Sequence, residues 1–391
     1  MRRLLKDIAV IGAGQGAPQG DSNYCDNGTP FIKAGNLQEL IEGKDINDIQ
    51  QVSENVAKEH RLKIYPRGTI LFAKSGMSCM KGYVYVLPQD AYVVSHLACI
   101  TPNEDCSEYL RYYFTFHKPN QLVKDAAYPS ISLSDIGDLE IDMKSVSERT
   151  DIVNQLKHIE SIISLRQEEL SALDELIKAR FVELFGDARV NPNKYDTIPF
   201  IDIVDYMGDI GSNGANKVVV DHLDMKDEED YAMMVRFTNF TKNDFTNDVK
   251  YVSKEAYDFF KKSQIFGGEL IICKIGSAGQ NYVMPYLNRP VSLGLNQIMV
   301  RIKENILMPY LYQYLHTNYG EFLISGCVNG AVTKTITKTE LKKIPVMLPP
   351  MELQKEFADF VKQVDKSKVV VQKAQEETQM LFDSLMQEYF G

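Results

Sequence analysis

The chain has 391 residues, with 43 Lys and Arg against 53 Asp and Glu, a formal net charge of −10. That length allows two or three domains with ample core, and 44% hydrophobic with 25% charged residues excludes wholesale disorder, a collagen-like repeat and a disulfide scaffold. Taken alone, the charge argues against a nucleic-acid partner.

The opening segment, MRRLLKDIAVIGAGQGAPQG, holds only a short apolar run broken by Lys6 and Asp7. Nowhere do about eighteen apolar residues run together, so neither a signal peptide nor a membrane span is expected. The six cysteines, at 25, 79, 99, 106, 273 and 327, form no CxxC pair. Reduced thiols in the cytoplasm fit them better than a disulfide framework or a zinc site.

In chain order, a first globule spans 1–146, where TILFAK, YVYVLP and YVVSHLACI read as strands and SEYLRYYFTFH (107–117) as a helix. A long amphipathic helix follows over 147–186. Its apolar residues at 152, 156, 159, 163, 170, 173, 177, 181 and 184 step by three, four or seven, with no Pro and no Gly before Gly186. The second globule, 187–350, has strands ELIICK and QIMVRI and a helical stretch PYLYQYLHTNY (309–319). A second long helix, 351–391, repeats the stripe. Forty residues make a rod of roughly 60 Å. An apolar stripe that long calls for a matching partner, and the other helix is the obvious one. The expected seam of this antiparallel coiled coil is Ile152, Leu156, Ile159, Ile163, Leu173 and Phe181 on the first helix, with Phe357, Val361, Val364 and Leu385 on the second. It slips at Ser164 and at Lys366–Ser367–Lys368, which read as stutters.

These elements are one module written twice. Ser147–Gly186 superposes on Glu352–Gly391 without a gap at an offset of 205, placing Ile152 on Phe357, Ile159 on Val364 and Phe185 on Phe390. Upstream, GTILFAKSG (68–76) lies on GELIICKIG (268–276), FIKAGNL (31–37) resembles MVRFTNF (234–240), and SISLSDIGDLEID (130–142) lies on TITKTELKKIPVM (335–347). The expected fold is α+β: two mixed α/β modules joined by two long antiparallel helices, related by a pseudo-twofold.

The most tempting catalytic signal is IAVIGAGQGA (8–17), which satisfies G-x-G-x-x-A with Gly12, Gly14 and Ala17. A dinucleotide site needs that turn to open a helix, and Pro18-Gln19-Gly20-Asp21-Ser22-Asn23 cannot start one. A Gly-rich strand-to-loop transition is the better reading. Asn191-Pro192-Asn193-Lys194-Tyr195 approaches the Asn/Asp-Pro-Pro-Tyr/Phe loop of amino-methyltransferases but lacks the second proline, and reads as a turn leaving the first long helix. The histidines at 60, 96, 117, 158, 222 and 316 show no metal-ligand spacing. No Walker loop or paired-carboxylate constellation is present, and DMKDEED (224–230) reads as a solvated loop. Neither a catalytic residue nor a metal site is expected.

What recurs is a polar loop after a buried strand. The first copy offers Lys74, Ser75, Gly76, Met77 and Ser78, then Lys81 and Tyr83; the second offers Lys274, Gly276 and Ser277, then Gln280, Asn281 and Tyr282. Lysine neutralises phosphate, while Ser, Asn and Gln can read base edges. A glycine turn with surface lysines is the bland alternative, yet packing alone asks for the glycine and not the lysine. Similar polar strips precede each long helix: Lys124, Tyr128 and Ser130, and Thr333, Lys334, Thr335 and Thr337.

The two diverged modules alternating with two long helices, the PPMELQ helix start (349–354) and the helix ends in Phe-Gly resemble the specificity subunit of type I restriction-modification systems. The first junction, DMKSVSER, departs from that pattern by having no prolines. The resemblance implies that the globules are target recognition domains for double-stranded DNA with two half-sites. It also implies that the helices act as ruler and docking surface for two methyltransferase subunits and for restriction/translocase subunits. In that resemblance Asn239 in RFTNF and Asn36 in KAGNL match a family strand near the recognition surface, and Arg236 of the same RFTNF run joins the expected DNA-binding residues. It further implies a non-catalytic, cytoplasmic chain with no cofactor of its own, while S-adenosylmethionine, ATP and Mg²⁺ belong to the partners. Half-sites one helical turn or more apart, roughly 34 Å per turn, suit such a rod. Alternatives are the specificity subunit of a fused methylase-nuclease and a coiled-coil scaffold whose globules bind proteins.

The charge looks different once apportioned. Residues 147–186 and 351–391 each hold eight acids and five bases, so the rods carry most of the excess and the globules are nearly neutral. Acidity therefore locates a protein-docking surface on the helices. It also implies weak DNA affinity for the lone chain.

Overall fold

The computed structural model describes all 391 residues, which divide into two compact units: residues 1–167 with 373–391, and residues 168–372. Each unit therefore takes one globule together with half of each long helix, a division that cuts across the linear order of globule and helix.

The first unit holds strands β1 (Arg2–Leu4), β2 (Ala9–Ala13), β3 (Thr29–Ile32), β4 (Gln51–Val52), β5 (Ile64–Tyr65), β6 (Ile70–Ala73), β7 (Val84–Val86), β8 (Ala91–Val93), β9 (Leu97–Pro102) and β10 (Glu140–Asp142). They form two four-stranded sheets, ordered β2-β9-β6-β7 and β4-β3-β8-β5, plus the pair β1-β10. The first sheet is antiparallel; in the second, β3 and β8 run parallel.

The second unit repeats this plan with β11 (Asp196–Pro199), β12 (Val204–Gly208), β13 (Ala232–Val235), β14 (Lys250–Val252), β15 (Gln264–Ile265), β16 (Leu270–Cys273), β17 (Asn281–Val283), β18 (Val291–Leu293), β19 (Gln297–Ile302), β20 (Val328–Asn329), β21 (Thr335–Ile336) and β22 (Pro345–Leu348). Its sheets are β12-β19-β16-β17 and β14-β13-β18-β15, with the pairs β11-β22 and β20-β21. The shared order, including the single parallel pair β13/β18, carries the sequence repeat into topology.

Two sequence runs break where one element was expected. YVVSHLACI is two strands in different sheets, β8 and β9, because Ser95 and His96 interrupt the apolar run. PYLYQYLHTNY is two helices, Met308–Leu315 and Asn318–Gly326, because Thr317 caps the second: its hydroxyl accepts from Gly320 N at 3.0 Å and donates to the Tyr314 carbonyl at 2.7 Å.

The long helices run Val146–Phe185 and Met351–Phe390. The first begins on a capping box, with Glu148 N donating to Ser145 Oγ and Ser145 N to the Glu148 carboxylate. At the start of the second, Gln354 is fully buried, accepting from Leu307 N at 2.9 Å and donating to the Pro349 carbonyl at 2.9 Å. The matching residue of the first copy, Arg149, is also buried and pairs with Glu104 at 2.9 Å. The proline-free junction thus keeps the tie between helix and module by charge instead of amide.

Within each unit the helices lie antiparallel, start against end. In the first unit Ile152 and Leu156 share a core with half-buried Leu385 and with Met386 and Phe390; in the second, Phe181, Phe185, Phe357 and Val364 share one, flanked by half-buried Leu173 and Val361. Ile159 is buried and Ile163 half-buried. Near the middle of the rods the contacts turn polar: Arg166 donates to Thr378 and the Ala374 carbonyl, and Gln375 to Gln167. Arg166 and Gln167 lie just past Ser164, where the apolar spacing of the first helix slips. The terminal aromatics dock each helix end alike. Phe390 lies 5.2 Å from Tyr109, and Phe185 4.8 Å from Tyr310, between ring centroids. Both tyrosines donate onward to the strand before a long helix, at the Asp142 and Met347 carbonyls. No helix is long and apolar enough to cross a membrane.

Candidate functional site

The two polar strips that recur in sequence meet in space, once in each unit. In the first, Ser75 and Ser130 form an isolated antiparallel bridge: Gly76 N donates to the Pro129 carbonyl at 3.0 Å and Ile131 N to the Lys74 carbonyl at 2.8 Å. In the second, Ile275 and Thr335 bridge in the same way, with Gly276 N on the Lys334 carbonyl at 3.0 Å and Ile336 N on the Lys274 carbonyl at 3.0 Å. A third segment joins at the same place, the turn before β9 or β19. Lys74 N donates to the His96 carbonyl at 2.9 Å and Lys274 N to the Asn296 carbonyl at 2.7 Å.

The shared glycine has a backbone cause, since Gly76 (φ 76°) and Gly276 (φ 88°) sit in the left-handed region that side chains avoid. That conformation explains the glycine; the lysine two residues before it has an ion-pair partner in the second copy, where Lys274 meets Asp209, and none in the first.

The side chains differ between copies. In the first, Ser75 Oγ lies 2.8 Å from His96 Nδ1. Ser78, Tyr83 and Lys74 are half-buried, and Lys81 is exposed, 3.3 Å from Gln38 Oε1 and 5.6 Å from the Tyr83 ring centroid. Tyr128 is 81% exposed, an unpacked aromatic on the strip. Lys124, also on the strip, is tied to Asp135 at 2.9 Å. In the second copy Ser277, Gln280 and Lys334 are exposed and Thr335 half-buried. Tyr282 belongs to an aromatic cluster, stacked on Phe240 at 5.6 Å.

Five residues singled out in the sequence are engaged within the protein. Asn281 is 6% exposed, and its amide donates to the Gly279 carbonyl, so it is not open to a base edge. Asn239 is 3% exposed and spends its side chain on the turn after β13, accepting from Arg236 N at 2.8 Å and donating to the Asp244 carbonyl at 3.1 Å. Asn36 accepts from Lys33 N in the same role, so this recurrent asparagine is a turn cap. Arg236 itself pairs with Asp248 at 3.1 Å. Lys274 is not a free cation either: Asp209 bridges it at 2.8 Å and Lys338 at 3.0 Å.

Asp209 was not legible in sequence, because its partners lie 65 and 129 residues away. Burial would raise its carboxyl, but hydrogen bonds from Lys274, Lys338 and Ser212 outweigh burial and hold it down at about 2. His96 also went unassigned, although a histidine interrupting an apolar strand run is a usable signal. The acidic tract 224–230 proves to be ion-paired: Lys226 binds Asp230 and Asp224, and Arg289 binds Glu229.

The glycine motif opens no helix. Gly12 lies in β2, Gln15 bridges to Val94, and only a three-residue turn, Asp21–Asn23, follows. The Asn191–Tyr195 segment is a turn in which Asn191 and Tyr195 exchange hydrogen bonds at 2.8 and 3.0 Å.

A family model described as the type I restriction modification DNA specificity domain matches this chain twice, over residues 1–175 and 194–379. The chain is similar to the type I restriction enzyme MjaIX specificity subunit of Methanocaldococcus jannaschii, 28% identical over 144 residues, which is 34% of this chain and 31% of that protein. That match spans under a third of the relative. It is also similar to the putative type I restriction enzyme MjaX specificity subunit of the same organism, 23% identical over 382 residues, covering 93% of this chain and 86% of the other. In fold it resembles the type I restriction-modification S subunit from M. genitalium, at 13% identity and a TM-score of 0.55, covering 100% of this chain and 96% of that one. A second structure, from a study of complex assembly and conformational transition of the type I R-M system, matches at 15% identity and a TM-score of 0.56, covering 100% and 97%. With the family model covering most of the sequence and the doubled module present in the fold, this chain belongs to the type I restriction-modification DNA specificity family.

Proposed function

We propose that the chain is the non-catalytic, sequence-reading subunit of a cytoplasmic type I restriction-modification complex. Each module reads one half-site of a bipartite double-stranded DNA target, and the long helices dock two methyltransferase subunits and the restriction/translocase subunits. S-adenosylmethionine, ATP and Mg²⁺ act in those partners. The observation that carries this reading is the repeated meeting of three polar segments, at Ser75/His96/Ser130 and at Ile275/Asn296/Thr335, on one backbone plan with different side chains. A shared frame with diverged residues is what reading two different half-sites requires.

Lys74 and Lys334 make no side-chain ion pair, unlike Lys124 and Lys274, and are the phosphate contacts of this reading. Replacing either by alanine, in the chain assembled with its methyltransferase, is expected to lower DNA affinity alike for all sequences. The slope of log affinity against log salt should fall by about one unit for each lysine removed. Fluorescence anisotropy across a salt series measures it; slopes unchanged in both variants would remove these lysines from the interface.

A further inference from the structure

The repeat supplies its own control for a cleft in the second unit. In the first unit, the junction between the helix Ser107–Phe116 and the first long helix is filled by a guanidinium. Arg111 donates to both carboxylate oxygens of Glu160, at 3.1 and 2.8 Å, and from Nε to Glu108 at 2.8 Å. It lies 4.0 Å from the ring centroid of Tyr112, whose hydroxyl donates to Glu160 at 2.7 Å.

Matching YLRYY (109–113) to YLYQY (310–314), and the long helices at their gap-free offset, puts Tyr312, Gln313 and Asp365 at the positions of Arg111, Tyr112 and Glu160. The carboxylate is kept and the guanidinium is gone; the cations that line this site are Lys178 and Lys368, and Lys368 reaches Asp365 only at 3.8 Å. In place of the guanidinium is an open cleft of about 760 Å³, walled by Phe245, Tyr282, Tyr286 and Tyr312 and reached by Asp174, Gln313 and Asp365.

Two further observations mark the cleft as unfilled. Gln313 is 8% exposed and lines it, and its side-chain amide has no hydrogen-bond partner in the protein. Lys368 is engaged by Asp174 and stands 3.8 Å from Asp365. Asp365 therefore shares its one cation with Asp174, and its own side chain is 59% exposed and open to a further donor.

We propose that this cleft takes an arginine side chain from a protein partner, its guanidinium on Asp365 and against the aromatic walls, with the Gln313 carbonyl accepting a further hydrogen bond. A planar guanidinium is the group that both forks onto a carboxylate and stacks on tyrosine, as Arg111 does in the first unit. The identity of the partner rests on the reading that methyltransferase subunits dock on the long helices; the chemistry of the cleft does not.

The test titrates the full chain, labelled at methionine methyls, with N-acetyl-arginine methylamide and, separately, with its citrulline analogue, which keeps the shape without the charge. Met308 lines the cleft and reports on it. The expected result is a saturating Met308 shift at millimolar arginine compound, at least fivefold weaker binding of the citrulline compound, and loss of that preference in Asp365→Asn. Equal binding of the two compounds, or an unchanged preference in Asp365→Asn, would overturn the proposal. The double variant Tyr312→Arg/Gln313→Tyr transplants the filler of the first unit. It should abolish probe binding and weaken the complex with the methyltransferase subunit at least tenfold. An undiminished complex would exclude a partner arginine. If no methyltransferase complex forms with the unaltered chain, the proposed function fails while the probe titration still decides the cleft.

Discussion

Phe357→Ala is expected to destabilise the second unit by about 3–5 kcal/mol, the usual cost of emptying a fully buried aromatic site. The Phe357 ring is 0% exposed and lies 5.6 Å, between centroids, from both Phe181 and Phe185, at the point where the start of one long helix meets the end of the other. Truncation leaves a cavity that Phe181, Phe185 and Tyr310 cannot close without moving off their rotamers. Urea unfolding followed by circular dichroism measures the loss as a lowered midpoint at unchanged slope. A change under 1 kcal/mol would mean that the helix ends do not depend on this cluster.

Asp209→Asn is expected to cost about 2–4 kcal/mol, since it leaves Lys274 and Lys338 facing each other without their shared, nearly buried carboxylate. The same carboxylate sets an acid limb of stability. Its carboxyl is held at about 2, below the ordinary 3.8, so the folded state binds its proton more weakly than the unfolded chain does. The resulting contribution, about 2 kcal/mol, is fully present above pH about 4 and disappears as pH falls toward 2. The stability gap between the unaltered protein and Asp209→Asn should therefore narrow by about 1 kcal/mol from pH 7 to pH 3 and close only as pH falls toward 2. The variant also frees two lysines beside the Ile275–Thr335 bridge, so its affinity for nonspecific DNA should rise and grow more salt-dependent. A variant as stable as the original at pH 7 would show that the lysines find other partners.

The sequence shows the long helices and the repeat clearly because both are local properties. Forty residues without Pro and an apolar step of three or four make a helix whatever surrounds them, and a gap-free superposition needs no tertiary knowledge. The recurring loops are legible for the same reason. What those loops touch is not. Asn281 lies next to exposed Gln280, and an alternation of one residue decides which of them faces solvent. Asn239 looks like a recognition residue by composition, yet its amide is consumed by a turn. Lys274 and Lys74 occupy the same position, and only the fold shows that one has Asp209 across from it. The split of YVVSHLACI turns on two polar residues, and the filled and unfilled junctions on the exchange of Arg111 for Tyr312, a difference that gains meaning only when Glu160 and Asp365 are seen opposite them.

The central claim is that each module reads its own half of one target. Its most direct measurement is methylation-sensitive sequencing of random-sequence DNA modified by the complex, made once with the unaltered chain and once with Gln280→Ala in the second module. A bipartite motif is expected from the first, and from the second the same motif relaxed in one half only. No bipartite motif at all, or equal relaxation of both halves, would contradict the account.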